Sequence, residues 1–240
     1  MQISFRFRIV PFIVSVVLVA TGVSLAQWQT RRADEKQAIE NMRQTRQSAP
    51  VLMLEQVPAE MAEIEFRRVQ LYGQFISGWP IYLDNRPYKG QAGFYLAMPF
   101  KMAAGGQHVL VMRGWIPRDV ADRTRLPPIV TPAGDVVIEG VVRNGIGQVM
   151  QLGKPDALRP GAIVQNLQLE ELAKASGLSM APLVVEQTDA TIRMDDQLVR
   201  DWPLPSSGID KHRGYAFQWY GLALMACVFF VVTGFRRGRT

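Results

Sequence analysis

The chain has 240 residues and a formal net charge of +6, with Arg6, Arg8, Arg236, Arg237 and Arg239 at its two ends. No Asp or Glu precedes Asp34 or follows Asp210, and the segment between the terminal arginines holds 22 basic against 21 acidic residues. A nucleic-acid binder concentrates positive charge on its folded domain, so this distribution argues against that class and reads as a membrane-topology signal. The single cysteine, Cys227, rules out an intramolecular disulfide, a CxxC redox site and a multi-cysteine metal site.

Residues 9–26 form the first apolar run, with Pro11 near its start, where a proline disrupts a helix least. Ser24-Leu25-Ala26 fits a signal-peptide cleavage pattern. The run exceeds the usual h-region of about 7–15 residues and continues into a helical pattern, so we read an uncleaved anchor. From Gln27 to about Gln47 the chain is rich in helix formers and holds no Gly or Pro. We expect a helix that leaves the membrane.

Residues 50–210 read mainly as β. Short apolar or alternating runs cover 65–73, 81–84, 93–101, 108–116, 135–143, 162–166 and 183–187, with turn residues between them. The runs at 93–101 and 108–116 flank Ala103-Ala104-Gly105-Gly106 and read as a hairpin. Residues 169–176 have helical composition, closed by Gly177. This pattern suggests an antiparallel sheet or small barrel.

The second apolar run, 211–235, carries no charge from Ala216 to Phe235 and is long enough to cross a bilayer. Tyr215, Gln218, Trp219 and Tyr220 crowd its entry, where amphipathic rings prefer the membrane–water boundary. Acid-free basic tails beside both runs favour cytoplasmic termini, which places the long middle segment outside.

Motifs for chemistry are sparse. Gly145-Ile146-Gly147 lacks the spacing of a dinucleotide site. No serine sits in a nucleophile elbow. Asp195-Asp196 is an adjacent pair whose side chains diverge on a strand, a poor acid–base dyad. His108 reads as a structural or solvated histidine. Arg113-Gly114-Trp115 has two readings: a strand end packed by Trp115 with Gly114 allowing close backbone approach, or a partner-facing or acid-binding Arg113. At helical spacing His212, Tyr215, Ala216 and Trp219 share one face. His212 has the chemistry of a haem-iron ligand, Tyr215 and Trp219 could wall a flat ring, and Arg31 or Arg32 could pair with propionates. The same residues also suit an interfacial anchor. Gln27 and Gln218 are candidates for hydrogen bonding between the spans.

Trp28-Gln29 with Arg31, Arg32 and Lys36, then Gly90, Gly93 and Pro99, then Val111-Met112-Arg113-Gly114-Trp115-Ile116-Pro117, then His212, Tyr215-Ala216 and Gln218-Trp219, follow one another in order between and beside two terminal spans. In this the chain resembles the surfeit locus protein 1 family of cytochrome c oxidase assembly factors. Met112 departs from the family pattern, where an asparagine precedes Arg-Gly-Trp. The resemblance implies a non-enzymatic role in building the haem centre of the oxidase. It implies haem a as a transiently carried cofactor, with His212 as its iron ligand and Trp28, Tyr215, Trp219, Arg31 and Arg32 around it. It implies the oxidase catalytic subunit and the haem a synthesis machinery as partners, in a bacterial inner membrane. In the alternative, a scaffold that never touches haem, Arg113 and Trp115 carry the partner contact.

The expected fold class is an α+β membrane protein. Two transmembrane helices flank an extracytoplasmic, mainly antiparallel β domain, a sheet or small barrel with short helices. The expected domains are a cytoplasmic tail (1–8), a first span (9–28), a helical linker (29–49), a periplasmic β-rich domain (50–210), a second span with its collar (211–235) and a second cytoplasmic tail (236–240).

Overall fold

The computed structural model describes residues 3–5, 7–122, 124–151, 157–188, 196–203 and 208–237. Arg6 and Arg239 of the tails, Arg123 and Asp195 lie outside the described residues. In chain order the elements are β1 (Ile3–Phe5), α1 (Ile9–Ser48), β2 (Leu52–Met53), a 3-10 turn (Met61–Glu63), β3 (Arg68–Phe75), β4 (Ile81–Leu83), β5 (Gly93–Met102), β6 (His108–Pro117), β7 (Val136–Arg143), β8 (Ile163–Val164), α2 (Leu169–Ser176), β9 (Met180–Thr188), α3 (Ile209–Gly234) and β10 (Phe235–Arg237). They fall into two compact units. Residues 1–42 with 205–240 form one, and residues 43–204 form the other.

The second unit is built on a closed barrel of five strands. β3 pairs with β7, β7 with β9, β9 with β6, β6 with β5, and β5 returns to β3. Four of these pairings are antiparallel; β6 and β9 run parallel. β2 adds parallel to β3, and β4 with β8 extends the sheet beyond β5. The barrel closes at a corner in β3. Gly73 faces Val136 of β7 on one side and Met102 of β5 on the other. A Cβ there would sit 2.0 Å from the carbonyl oxygen of Lys101, and its φ is +157°, so only glycine lets the strand reach both neighbours.

The interior follows from alternation. On β3 the buried positions are Val69, Leu71, Gly73 and Phe75, and they meet Met98, Phe100, Val109, Val111, Ile138, Val142, Leu183 and Val185. β5 and β6 are buried on both faces, so they read as continuous apolar runs. Their outer face packs under β4, β8 and α2, where Ile81, Leu83, Ala97, Leu110, Val164 and Leu172 form a second core. α2 ends where the sequence expects, with Gly177 left-handed at φ +69° and its N–H bonded to Ala173 O. The last turn of α1 is pinned to this unit by Arg46, whose Nη1 donates to Ala62 O at 2.8 Å and Glu65 O at 3.0 Å.

The first unit is a pair of antiparallel helices. α1 and α3 are each long and apolar enough to cross a membrane, and only 11% of each apolar window is buried. Three levels fix the pair. At one end Phe7, Phe12 and Phe230 cluster with tilted and T-shaped ring contacts, centroids 5.1–6.2 Å apart. In the middle Gly22 lies against α3 so closely that a Cβ would meet Ala223 Cβ and Trp219 O at 3.1 Å. At the far end Gln29 meets His212, and Lys36 Nζ reaches Gly208. The seam is made of small residues: Gly22, Ala26 and Ala33 on α1, Ala216 and Ala223 on α3, all buried. Small side chains let helix backbones approach where lipid offers no hydrophobic drive. β1 pairs antiparallel with β10, so the two chain ends also meet.

Candidate functional site

Two places carry the residues singled out from the sequence. The first is the outer end of the helix pair. His212 is half-buried, and its Nδ1 lies 2.6 Å from Gln29 Oε1. An amide oxygen carries no proton, so the shared hydrogen belongs to Nδ1, and in the neutral ring Nε2 keeps its lone pair.

The other residues can be placed around the seam. With Gly22, Ala26 and Ala33 as reference, a rotation of about 100° per residue puts Trp28 and Arg32 on one flank of α1 and Arg31 about opposite the seam. On α3, with Ala216 and Ala223 as reference, His212, Trp219 and Tyr215 turn to one flank. Because the helices are antiparallel, these two flanks are the same side of the pair. That side runs from Trp219, through Tyr215 and Trp28, to His212 with Gln29, and then to Arg32 and Lys36. Trp28 and Tyr215 are about half exposed, at 48% and 52%, and so present ring surface along it. Arg32 Nη1 pairs with Glu35 at 2.7 Å, an exposed i,i+3 pair of little strength. Four of the five residues expected around His212 thus gather on one side with it, and Arg31 does not. Gln27 and Gln218 are exposed and turned away from the seam. The polar residue that does join the helices is Gln29. Its signal was its place on the small-residue stripe, seven residues after Gly22 and four before Ala33.

The second place is Arg113-Gly114-Trp115 on β6. The register with β5 slips between Leu96, opposite Gly114, and Ala97, opposite Met112, so Arg113 is the extra residue of a bulge. A bulge re-aims its side chain, and this one turns fully inward, with no exposure. Arg113 Nη2 donates to Asp196 Oδ2 at 3.1 Å and Val130 O at 2.9 Å, and Nη1 to Thr131 Oγ1 at 2.9 Å. Its guanidinium also lies 4.6 Å from the Phe75 ring centroid. Burial pulls its pKa down, and the Asp196 carboxylate offsets that pull. Arg200 pairs with the same carboxylate.

Gly114 lies beneath residues 196–200. A Cβ there would come 2.8 Å from Leu198 Cβ, and its φ is +153°. Trp115 exchanges backbone hydrogen bonds with Val199 at 2.7 and 2.9 Å, and its Nε1 donates to Arg86 O at 2.7 Å. The three residues therefore clasp the 196–200 segment to the barrel. Arg113 has no exposure and Trp115 is 5% exposed, so both side chains are buried within their own chain. The acid that Arg113 binds is Asp196 of its own chain. His108 has a buried Nδ1 without a hydrogen-bond partner. Among the described residues no group of three or more His, Cys, Asp or Glu side chains gathers as a metal would need.

The model of the SURF1 family matches residues 16–224. A SURF1-like protein of Rickettsia prowazekii (strain Madrid E) is 28% identical over 220 residues, covering 87% of this chain and 83% of its own length. A SURF1-like protein of Monosiga brevicollis is 24% identical over 250 residues, covering 91% and 85%. Surfeit locus protein 1 of Takifugu rubripes is 27% identical over 144 residues, covering 53% of this chain and 59% of its own.

Proposed function

This chain belongs to the SURF1 family, a family of oxidase assembly factors, and from that premise we propose that its helix pair carries haem a and gives it up to the catalytic subunit of a haem–copper cytochrome c oxidase. The observation that carries the reading is the order of side chains along one side of the pair. Aromatic rings lie towards the apolar stretch, a histidine with a bare Nε2 comes next, and Arg32 and Lys36 lie beyond. The residues fit the group. A haem iron takes a neutral imidazole as axial donor, a macrocycle packs on rings, and propionates pair with a guanidinium.

In this reading His212 supplies the Nε2 donor, Trp28, Tyr215 and Trp219 hold the flat face, and Arg32 meets the carboxylates. No residue is assigned a catalytic step. Both helices cross the bacterial inner membrane, both termini are cytoplasmic, and the barrel is periplasmic. The acid-free basic tails support that orientation. A periplasm-dependent reporter fused within residues 123–134 should be active and one fused after Thr240 inactive; the reverse pattern overturns the orientation.

The absorption spectrum of full-length protein purified from cells making haem a tests the function. Wild type and His108→Ala should carry a Soret band. His212→Ala, inserted to the same level, should lose it or shift it strongly, and Trp219→Ala should fall between. Full retention by His212→Ala removes His212 as the ligand. A wild type that never acquires haem makes the protein a scaffold for oxidase subunits instead.

A further inference from the structure

We infer that Gln29 is a positioning residue that sets which nitrogen of His212 faces a ligand, and that its neutral amide keeps that nitrogen a moderate donor suited to release. The inference rests on the haem reading above for its second half and on geometry for its first. Gln29 and His212 stand on different helices, 183 residues apart, yet their side chains meet at 2.6 Å. Both are half-buried at the seam, in a layer that Ala26 and Ala33 on one helix and Ala216 on the other keep tight. An isolated imidazole interconverts between two neutral tautomers. A fixed acceptor on Nδ1 selects the Nδ1–H form and presents Nε2 as a lone pair.

The identity of the acceptor decides how strong that lone pair is. Where a carboxylate accepts from the far nitrogen of a ligating histidine, it draws the proton towards itself and raises the basicity of the metal-facing nitrogen. A glutamine oxygen is a weaker acceptor and carries no charge, so it orients the ring without that reinforcement. A resident cofactor gains from the stronger arrangement. A carrier gains from the weaker one, because the cargo must leave.

The experiment uses the full chain in lipid nanodiscs, with 15N-labelled histidine and Gln29 variants. In the protein without haem, His212 should resonate as the Nδ1–H tautomer, assigned by loss of its signals in His212→Ala. Gln29→Leu should give a mixture of tautomers, and Gln29→Glu should restore the Nδ1–H form. A wild type in the Nε2–H form, or a Gln29→Leu variant with unchanged tautomer, overturns the positioning role whatever the haem result. With ferric haem a added, Gln29→Leu should bind about 10- to 100-fold more weakly than wild type. Gln29→Glu should bind more tightly, with a more negative reduction potential and slower transfer to apomyoglobin. A Glu variant that releases haem a as fast as wild type overturns the release argument. Absence of haem uptake by wild type overturns the reading on which that half rests and leaves the tautomer result to decide the first.

Discussion

In the barrel unit buried carboxylates are answered by arginines: Arg113 and Arg200 share Asp196, and Arg68 holds Glu139 at 2.7 Å. In the helix pair most large apolar side chains face outward, from Ile13, Val14 and Leu18 to Phe217, Leu224 and Phe229, and the middle and far end of the seam, among the described residues, hold small residues and a glutamine–histidine bond. The barrel buries its own apolar side chains in closed cores. The helix pair needs an apolar solvent to be stable. Its chemically versatile group is therefore at the polar end of the seam, and the barrel's most conspicuous motif is spent on holding the barrel.

That contrast breaks most sharply at Asp196. Asp196→Ala leaves Arg113 and Arg200 buried without their shared carboxylate, and breaking a buried pair in this way costs about 3–5 kcal/mol. Thermal melts followed by Trp115 fluorescence and near-ultraviolet circular dichroism should show early loss of the barrel. Membrane extraction should show the helices still inserted. An unchanged melt would mean that the clasp is incidental.

Gly114→Ala comes next. Its Cβ must displace Leu198 Cβ, and the backbone is held where an L side chain is strained; overpacking of this kind costs about 1–3 kcal/mol. The same melt reads it, and the effect should fall on the 196–200 segment first, as proteolytic cleavage there.

Gly22→Leu tests the other region. A bulky side chain at the seam pushes Ala223 and the Trp219 backbone away. A cysteine cross-link between the helices should fail to form and the histidine–glutamine bond should weaken, while the barrel melt stays within about 0.5 kcal/mol of wild type. A matching loss in the barrel would show that the two regions are not independent.

Glu186 gives the smallest effect. Burial raises its pKa, and Arg143, 3.1 Å away, offsets part of that rise. A carboxyl with a higher value folded than unfolded holds its proton more tightly in the native state. Stability relative to Glu186→Gln should be greatest below the ordinary glutamate range and decline as pH rises through the raised value. Parallel stability curves for the two proteins would remove this role.

The sequence made the element types plain because their physics is local. α2 and its Gly177 cap, the stop of β6 at Pro117, and the hairpin turn at Gly105-Gly106 needed only neighbours in the chain. The imperfect alternation from residue 65 points to a strand three residues before Arg68, where β3 begins. The apolar run at 183–187 marks only the middle of β9, which spans Met180–Thr188. The closure of the barrel and the parallel β6–β9 pairing were not legible, because they join segments with no shared periodicity. At the candidate site, the helix faces could be drawn from spacing, which gathered His212, Tyr215 and Trp219. Which of Arg31 and Arg32 shares that side required the seam. So did the choice of Gln29 over Gln27, since a one-helix wheel has no reference direction until its neighbour is known.

The position of β9 bears on the order of assembly. It is the strand that fills the gap between β6 and β7, and it comes last of the five in the chain. Until Met180–Thr188 has been made, the sheet has two unpaired edges, β6 and β7, each able to recruit a foreign strand. α3 begins at Ile209, about twenty residues after β9 ends. A growing chain therefore completes its barrel and starts its second helix within one short stretch of synthesis, at a few seconds' separation at most for elongation of about 5–20 residues per second.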